Sequence, residues 1–235
     1  NLFLSIIFSF FYRKEIKSFN IDKKIILSLF LLTLIQIYGS YFSDDLAHYH
    51  SSFIVNHDNS NLIVGSNLLH NHIGINSIWL NLHSYLNFNQ YYLQDIHVLN
   101  GILFFIIIYY FLTELKSHGD NKQLFPLLYL LLIFFLLKYT RLKEFGLDRP
   151  GTLIFFFTLY FSIKYRDLLI SQKNNFFTLV LFFCLFLTGI KAYFIIIFFI
   201  PIYFFLKNKK FNFLYSQNIL FFFIFTFLFF SKNLL

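Results

Sequence analysis

Apolar residues along this chain fall in long unbroken runs separated by short polar stretches. The runs lie near 1–12, 25–42, 99–115, 124–138, 151–163, 175–189, 191–206 and 212–231. Several approach the roughly 20 residues that carry a helix across about 30 Å of hydrocarbon. Stretches such as FPLLYLLLIFFLL lack the every-other-residue alternation of a barrel strand. The pattern predicts an all-α polytopic membrane protein with about seven or eight transmembrane helices. Pro126 and Pro150 stand at run starts, where a missing N–H costs little. Gly189 is the one break between the sixth and seventh runs and predicts a tight turn there.

The segment 43–98 breaks the pattern and is long for a plain connector. Within it Ile75, Ile78, Trp79, Leu82 and Leu86 recur at spacings of three and four, with Asn76, Asn81, His83 and Asn87 between them. That spacing predicts an amphipathic helix capped by Asn76 or Ser77. The only Trp belongs naturally at a membrane interface, so the helix is read as lying on the outer leaflet. For stability alone, packing on neighbouring spans accounts for the pattern equally well.

Composition strengthens the membrane reading. The chain is 58% hydrophobic and 13% charged, with 39 Phe and 16 Tyr. That is more apolar surface than a water-soluble domain of 235 residues hides. The lone Cys184 excludes an internal disulfide framework and reads as a lipid- or core-facing packing residue. The chain begins at Asn1, has no Met, and opens on a run too short to span comfortably, without signal-peptide features. The expectation is one transmembrane domain over 1–235, a fragment truncated at both ends.

Charge sets the orientation. Most of the nineteen Lys and Arg lie in segments 13–24, 116–123, 164–174 and 207–211, which the positive-inside rule makes cytoplasmic. Segment 43–98 has no Lys or Arg and seven of the eight His, as suits an extracytoplasmic loop. The net charge of +8 is then topological and calls for no nucleic-acid partner. Six cations fall on the outer side against the rule: Lys138, Arg141, Lys143, Arg149, Lys191 and Lys232.

The outer loop opens on SDDLAHYH, residues 43–50. One reading is a helix cap, with Ser43 capping and Asp44 and Asp45 in the first turn. A second is chemical: an aspartate at the outer edge of a span, partly desolvated, can act as a base, and Asp45 and His48 share a helix face. A third is a metal site drawn from Asp45, His48, His50, His70 and His72, but their spacing matches no specific ligand motif.

These residues also carry a resemblance. Asp45-Leu-Ala-His-Tyr49-His50 resembles the D-x-x-x-Y-H element that follows the first span in a largely uncharacterised bacterial branch of the GT-C glycosyltransferases. Val64 to His70, continuing through Gly74, Asn76, Ser77 and Trp79, is similar to that branch's H…N-S-x-W region. Asp148-Arg149-Pro150 resembles its D-x-P element, and Thr188 to Lys191 its threonine–lysine element. His72 stands where the branch usually has Arg, and Ile75 where it has Phe.

The resemblance implies a GT-C-like fold and a large first outer loop. It implies a polyprenyl-phosphate sugar donor and a lipid or glycan acceptor of the cell envelope. Asp45 or Asp44 would be the base. The outer cations Arg141, Lys143, Arg149 and Lys191 would hold the donor phosphate and steady the leaving group. His48, Tyr49, His50, His70, His72, Asn76 and Asp148 would line the site. No particular cofactor is predicted, and a divalent metal is the lesser reading. The setting would be a bacterial inner membrane with the site facing outward, in contact with membrane lipids. Two rivals carry other expectations. A transporter or flippase of lipid-linked sugars would place charge at mid-membrane and break its gating helices with Gly or Pro. An O-antigen polymerase or ligase would place its large loop late in the chain.

Overall fold

A computed structural model describes residues 23–39, 77–86, 97–117, 124–138, 146–170 and 174–207. Among the described residues the regular structure is helical throughout, with no strand. The helices are α1 (Lys23–Tyr38), α2 (Ile78–Leu86), α3 (Val98–Ser117), α4 (Phe125–Leu137), α5 (Asp148–Lys164), α6 (Arg166–Ile170), α7 (Asn174–Ile190) and α8 (Phe199–Lys207). A 3₁₀ segment, Ala192–Phe198, joins α7 to α8.

Sequence explains most of these boundaries. Pro126 lies in the first turn of α4 and Pro150 in the first turn of α5, where the helix has no use for their missing N–H groups. The apolar runs from 25 to 206 coincide with helices; those at 1–12 and 212–231 lie outside the described residues. The 20 residues of α3 rise about 30 Å. Over Val98–Lys116 it is long and apolar enough to cross a membrane. Phe125–Leu137, Phe176–Ile190 and Ala192–Lys207 are apolar but shorter.

Helix α5 touches α3, α4, α6, α7 and the 3₁₀ segment, and α1 packs on α3. A side chain at Gly101 would sit 3.0 Å from Thr33 and Ile37, so glycine lets α1 and α3 approach closely. Aromatic rings fill the centre. Phe111 meets the Tyr160 ring edge-on at 5.4 Å and stacks on Phe135 at 5.9 Å. Both are favoured geometries for ring quadrupoles. Large apolar side chains also face outward, among them Phe30 on α1, Leu130 on α4, Ile195 on the 3₁₀ segment and Leu206 on α8.

Two expectations change. The Gly189 turn is displaced: α7 runs through Gly189 to Ile190, and the break falls at Lys191, whose backbone is extended (φ −154°, ψ 132°). An α-helical φ/ψ costs glycine some entropy but is freely open to it, so it need not end the helix. The surface helix is instead a packed one. In α2, Trp79 and Leu80 are buried, and the helix rests on α7. The indole Nε1–H donates to Asn100 Oδ1 at 2.9 Å, so Trp79 finds its polar partner inside the protein rather than at an interface. Ser77 stands at the cap position, yet its hydroxyl donates to the Ile190 carbonyl at 3.0 Å and ties α2 to the end of α7.

Cys184 resolves to the core side of its two alternatives. It is fully buried, with Sγ 3.7 Å from the Ile197 carbonyl oxygen.

Candidate functional site

One end of the helix assembly gathers charge. Here α4 finishes at Lys138 and α5 begins with Asp148 and Arg149. The end of α7 hands over to Lys191, and α3 begins beside His97 and Asn100. A cavity of about 360 Å³ opens there between Phe134, Phe135 and Lys138 of the α4 end and Asp148, Arg149, Thr152 and Leu153 of α5.

The first turns of α5 divide their residues between two neighbours. Asp148, Gly151 and Phe155 follow a helical spacing of three and four and so share one face. That face receives the 3₁₀ segment. Lys191 Nζ donates to Asp148 Oδ1 at 2.5 Å, and the Tyr193 hydroxyl donates to the same oxygen at 2.7 Å. Any β-carbon on Gly151 would run into the Phe194 ring, and Phe155 lies against that ring at 6.1 Å. The adjacent face, with Arg149, Thr152 and Leu153, lines the cavity. Asp148 belongs to both. Its negative charge also lies in the first turn of a helix, where the dipole favours it.

His97, the residue before α3, is 3% exposed. Burial, and secondarily the Arg149 guanidinium, pushes its imidazole down to about 4. It is therefore neutral near pH 7 and adds no positive charge beside Arg149.

Of the residues singled out in the sequence, the structure brings Asp148, Arg149, Lys138 and Lys191 to this one end. Lys191 does not line the cavity itself. Its ammonium pairs with Asp148, which holds it one residue back from the wall. Asp44, Asp45, His48, Tyr49, His50, His70, His72, Asn76, Arg141 and Lys143 lie outside the described residues, and with them every ligand considered for a metal. Among the described residues no three of His, Cys, Asp or Glu converge.

Sequence reasoning missed His97, Thr152 and Tyr193. The i, i+4 spacing of Asp148 and Thr152 could have found the second, because its hydroxyl donates to the Asp148 carbonyl at 2.6 Å. Tyr193 needed the extended backbone of Lys191, which nothing local announces.

A sequence profile described as "Domain of unknown function (DUF8201)" matches residues 1–235. The chain belongs to the DUF8201 family. No curated protein and no solved structure matches it. For this DUF8201 member the chemistry must be read from the site: two cations and a carboxylate on the wall of a half-apolar cavity.

Proposed function

We propose that the chain is the membrane domain of a glycosyltransferase that takes a sugar from a polyprenyl-phosphate donor on the extracytoplasmic face. The fold would be GT-C-like, with about seven or eight transmembrane helices in a bacterial inner membrane. One observation carries the reading: Lys138 and Arg149 share a cavity with Phe134, Phe135 and Leu153. Fixed cations suit a phosphate and the charge that grows on a leaving phosphate, while the apolar wall suits a lipid carrier. The outward apolar faces of α1, α4 and α8 would meet lipid, which accounts for the exposure of large side chains such as Phe30, Leu130 and Leu206. The resemblance at Asp45, His70, Trp79 and Asp148 supports the same class. Asp45 would take the proton from the acceptor hydroxyl, and the acceptor would be an envelope lipid or glycan.

The test is transfer by the full-length protein in nanodiscs with a polyprenyl-phosphate sugar. Asp45→Asn keeps shape and capping ability but removes the base, and should slow transfer by roughly 10²–10⁴-fold. Asp44→Asn, a change of the neighbouring carboxylate, serves as control. Normal rates in both variants would refute the assignment of the base.

A further inference from the structure

The cavity wall poses a problem that phosphate binding alone leaves open. A site for a bare anion gains nothing from a carboxylate, because like charges repel. Yet Asp148 stands on the wall with Arg149 and Lys138, and two side chains hold it there. These donors, Lys191 Nζ and the Tyr193 hydroxyl, converge on one oxygen, which fixes the plane of the carboxylate. Neither donor lines the cavity, so both act on the side away from it. Gly151 under the Phe194 ring lets the 3₁₀ segment come close enough for both bonds.

An ionised carboxylate is an acceptor only, with about four lone-pair positions on two oxygens. A fixed acceptor beside two cations suits a ligand that carries an anion and, next to it, a neutral hydroxyl donor. The cavity has a volume of about 360 Å³. Sites for small molecules begin at roughly 300 Å³, so a single sugar phosphate suits this one.

We propose that Asp148 is a specificity-determining residue that accepts a hydroxyl hydrogen bond from a sugar phosphate. The phosphate lies against Lys138 and Arg149. Lys191 and Tyr193 are positioning residues that hold the carboxylate. The proposal deepens the transferase reading and takes its sugar from that reading. The shared chemistry is a hexosyl phosphate, either free in solution or esterified to a polyprenyl chain.

Calorimetric titration of the full-length protein in nanodiscs tests it, with hexose 1-phosphate and inorganic phosphate as probes. The wild type should bind hexose 1-phosphate more tightly than phosphate. Asp148→Ala should weaken hexose 1-phosphate about tenfold to a hundredfold, the loss of a hydrogen bond to a charged group, and leave phosphate unchanged or tighter. Retained phosphate binding also reports that the variant is folded. Lys191→Met and Tyr193→Phe should lower hexose 1-phosphate affinity in the same direction by less, and should add nothing in an Asp148→Ala background. If Asp148→Ala loses both probes through misfolding, Tyr193→Phe decides with a single oxygen removed, and unchanged hexose binding there overturns the proposal. Equal loss of both probes in Lys191→Met would mean that Lys191 holds the phosphate directly, and would also overturn it. So would failure of the wild type to bind hexose 1-phosphate and polyprenyl-phosphate hexose alike. A parallel arm with polyprenyl-phosphate hexose in the nanodisc separates the lipid-borne ligand from the free one. Asp148-dependent binding without transfer would sink the transferase reading and spare this one. Transfer undiminished in Asp148→Ala would do the reverse.

Discussion

The two ends of α5 are built from the same three kinds of group in different surroundings. At one, Glu114 Oε2 accepts from Lys164 Nζ at 2.5 Å and from the Tyr160 hydroxyl at 3.2 Å. At the other, Asp148 Oδ1 accepts from Lys191 Nζ at 2.5 Å and from the Tyr193 hydroxyl at 2.7 Å. Burial separates them. The Lys164 and Glu114 side chains are 12% and 11% exposed, against 40% and 61% for Lys191 and Asp148. The Glu114 cluster is walled by Tyr110 and Tyr165, whose rings lie 5.7 and 4.9 Å from the Lys164 ammonium. The Asp148 cluster borders a cavity. A carboxylate, a lysine and a tyrosine thus make a clamp when closed off and a prepared wall when left open. The lesson is that exposure, rather than residue type, distinguishes a structural ion pair from one that can meet a ligand.

The largest expected contrast is in stability. Lys164→Met takes the Lys164 ammonium away from the buried Glu114 carboxylate, which should cost about 3–5 kcal/mol. Lys191→Met exposes Asp148 to water and should cost no more than about 1 kcal/mol. Denaturant or thermal unfolding in one detergent compares them, and equal losses would erase the distinction drawn between the two ends.

Acid should single out the open end next. His97 titrates at about 4 in the folded protein against an ordinary 6.5, so between these values the unfolded chain binds the extra proton. Its contribution is present above about pH 6.5 and is lost as pH falls toward 4, amounting to about 3 kcal/mol. His97→Gln should flatten stability across that window. An unchanged pH profile would mean that His97 is not held neutral beside Arg149.

A smaller effect is expected at the docking face. Gly151→Ala places a methyl group against the Phe194 ring, and relieving that overlap should cost about 1–3 kcal/mol. Because the 3₁₀ segment must move, binding of hexose 1-phosphate should weaken as well. A stabilised Gly151→Ala protein would show that the ring yields freely.

How much of this was legible beforehand follows the range of the interactions. The helices from Lys23 to Lys207, apart from α2 and the short α6, were written in apolar runs, a local signal. So was the grouping of Lys138, Asp148, Arg149 and Lys191 on one side, because an alternating path through successive helices fixes it. The pairing of Lys191 with Asp148, 43 residues away, was not, since it depends on how the 3₁₀ segment docks. The fate of Trp79 shows the same limit. Its periodicity fits a membrane surface and a protein groove equally, and only Asn100 across the contact decides between them. The Glu114–Lys164 clamp escaped notice because each residue alone looks like a charge at the end of a span.

On the transferase reading, the open end of α5 works on a sugar phosphate and the closed end only holds the fold. The rate of sugar transfer per folded molecule in Arg149→Gln beside Glu114→Gln separates the two roles. Arg149→Gln should cut transfer at least about tenfold with little change in stability, because a neutral amide cannot hold the phosphate or offset its growing charge. Glu114→Gln should lose stability and keep its rate per folded molecule. An Arg149→Gln protein that transfers at the normal rate would contradict the account.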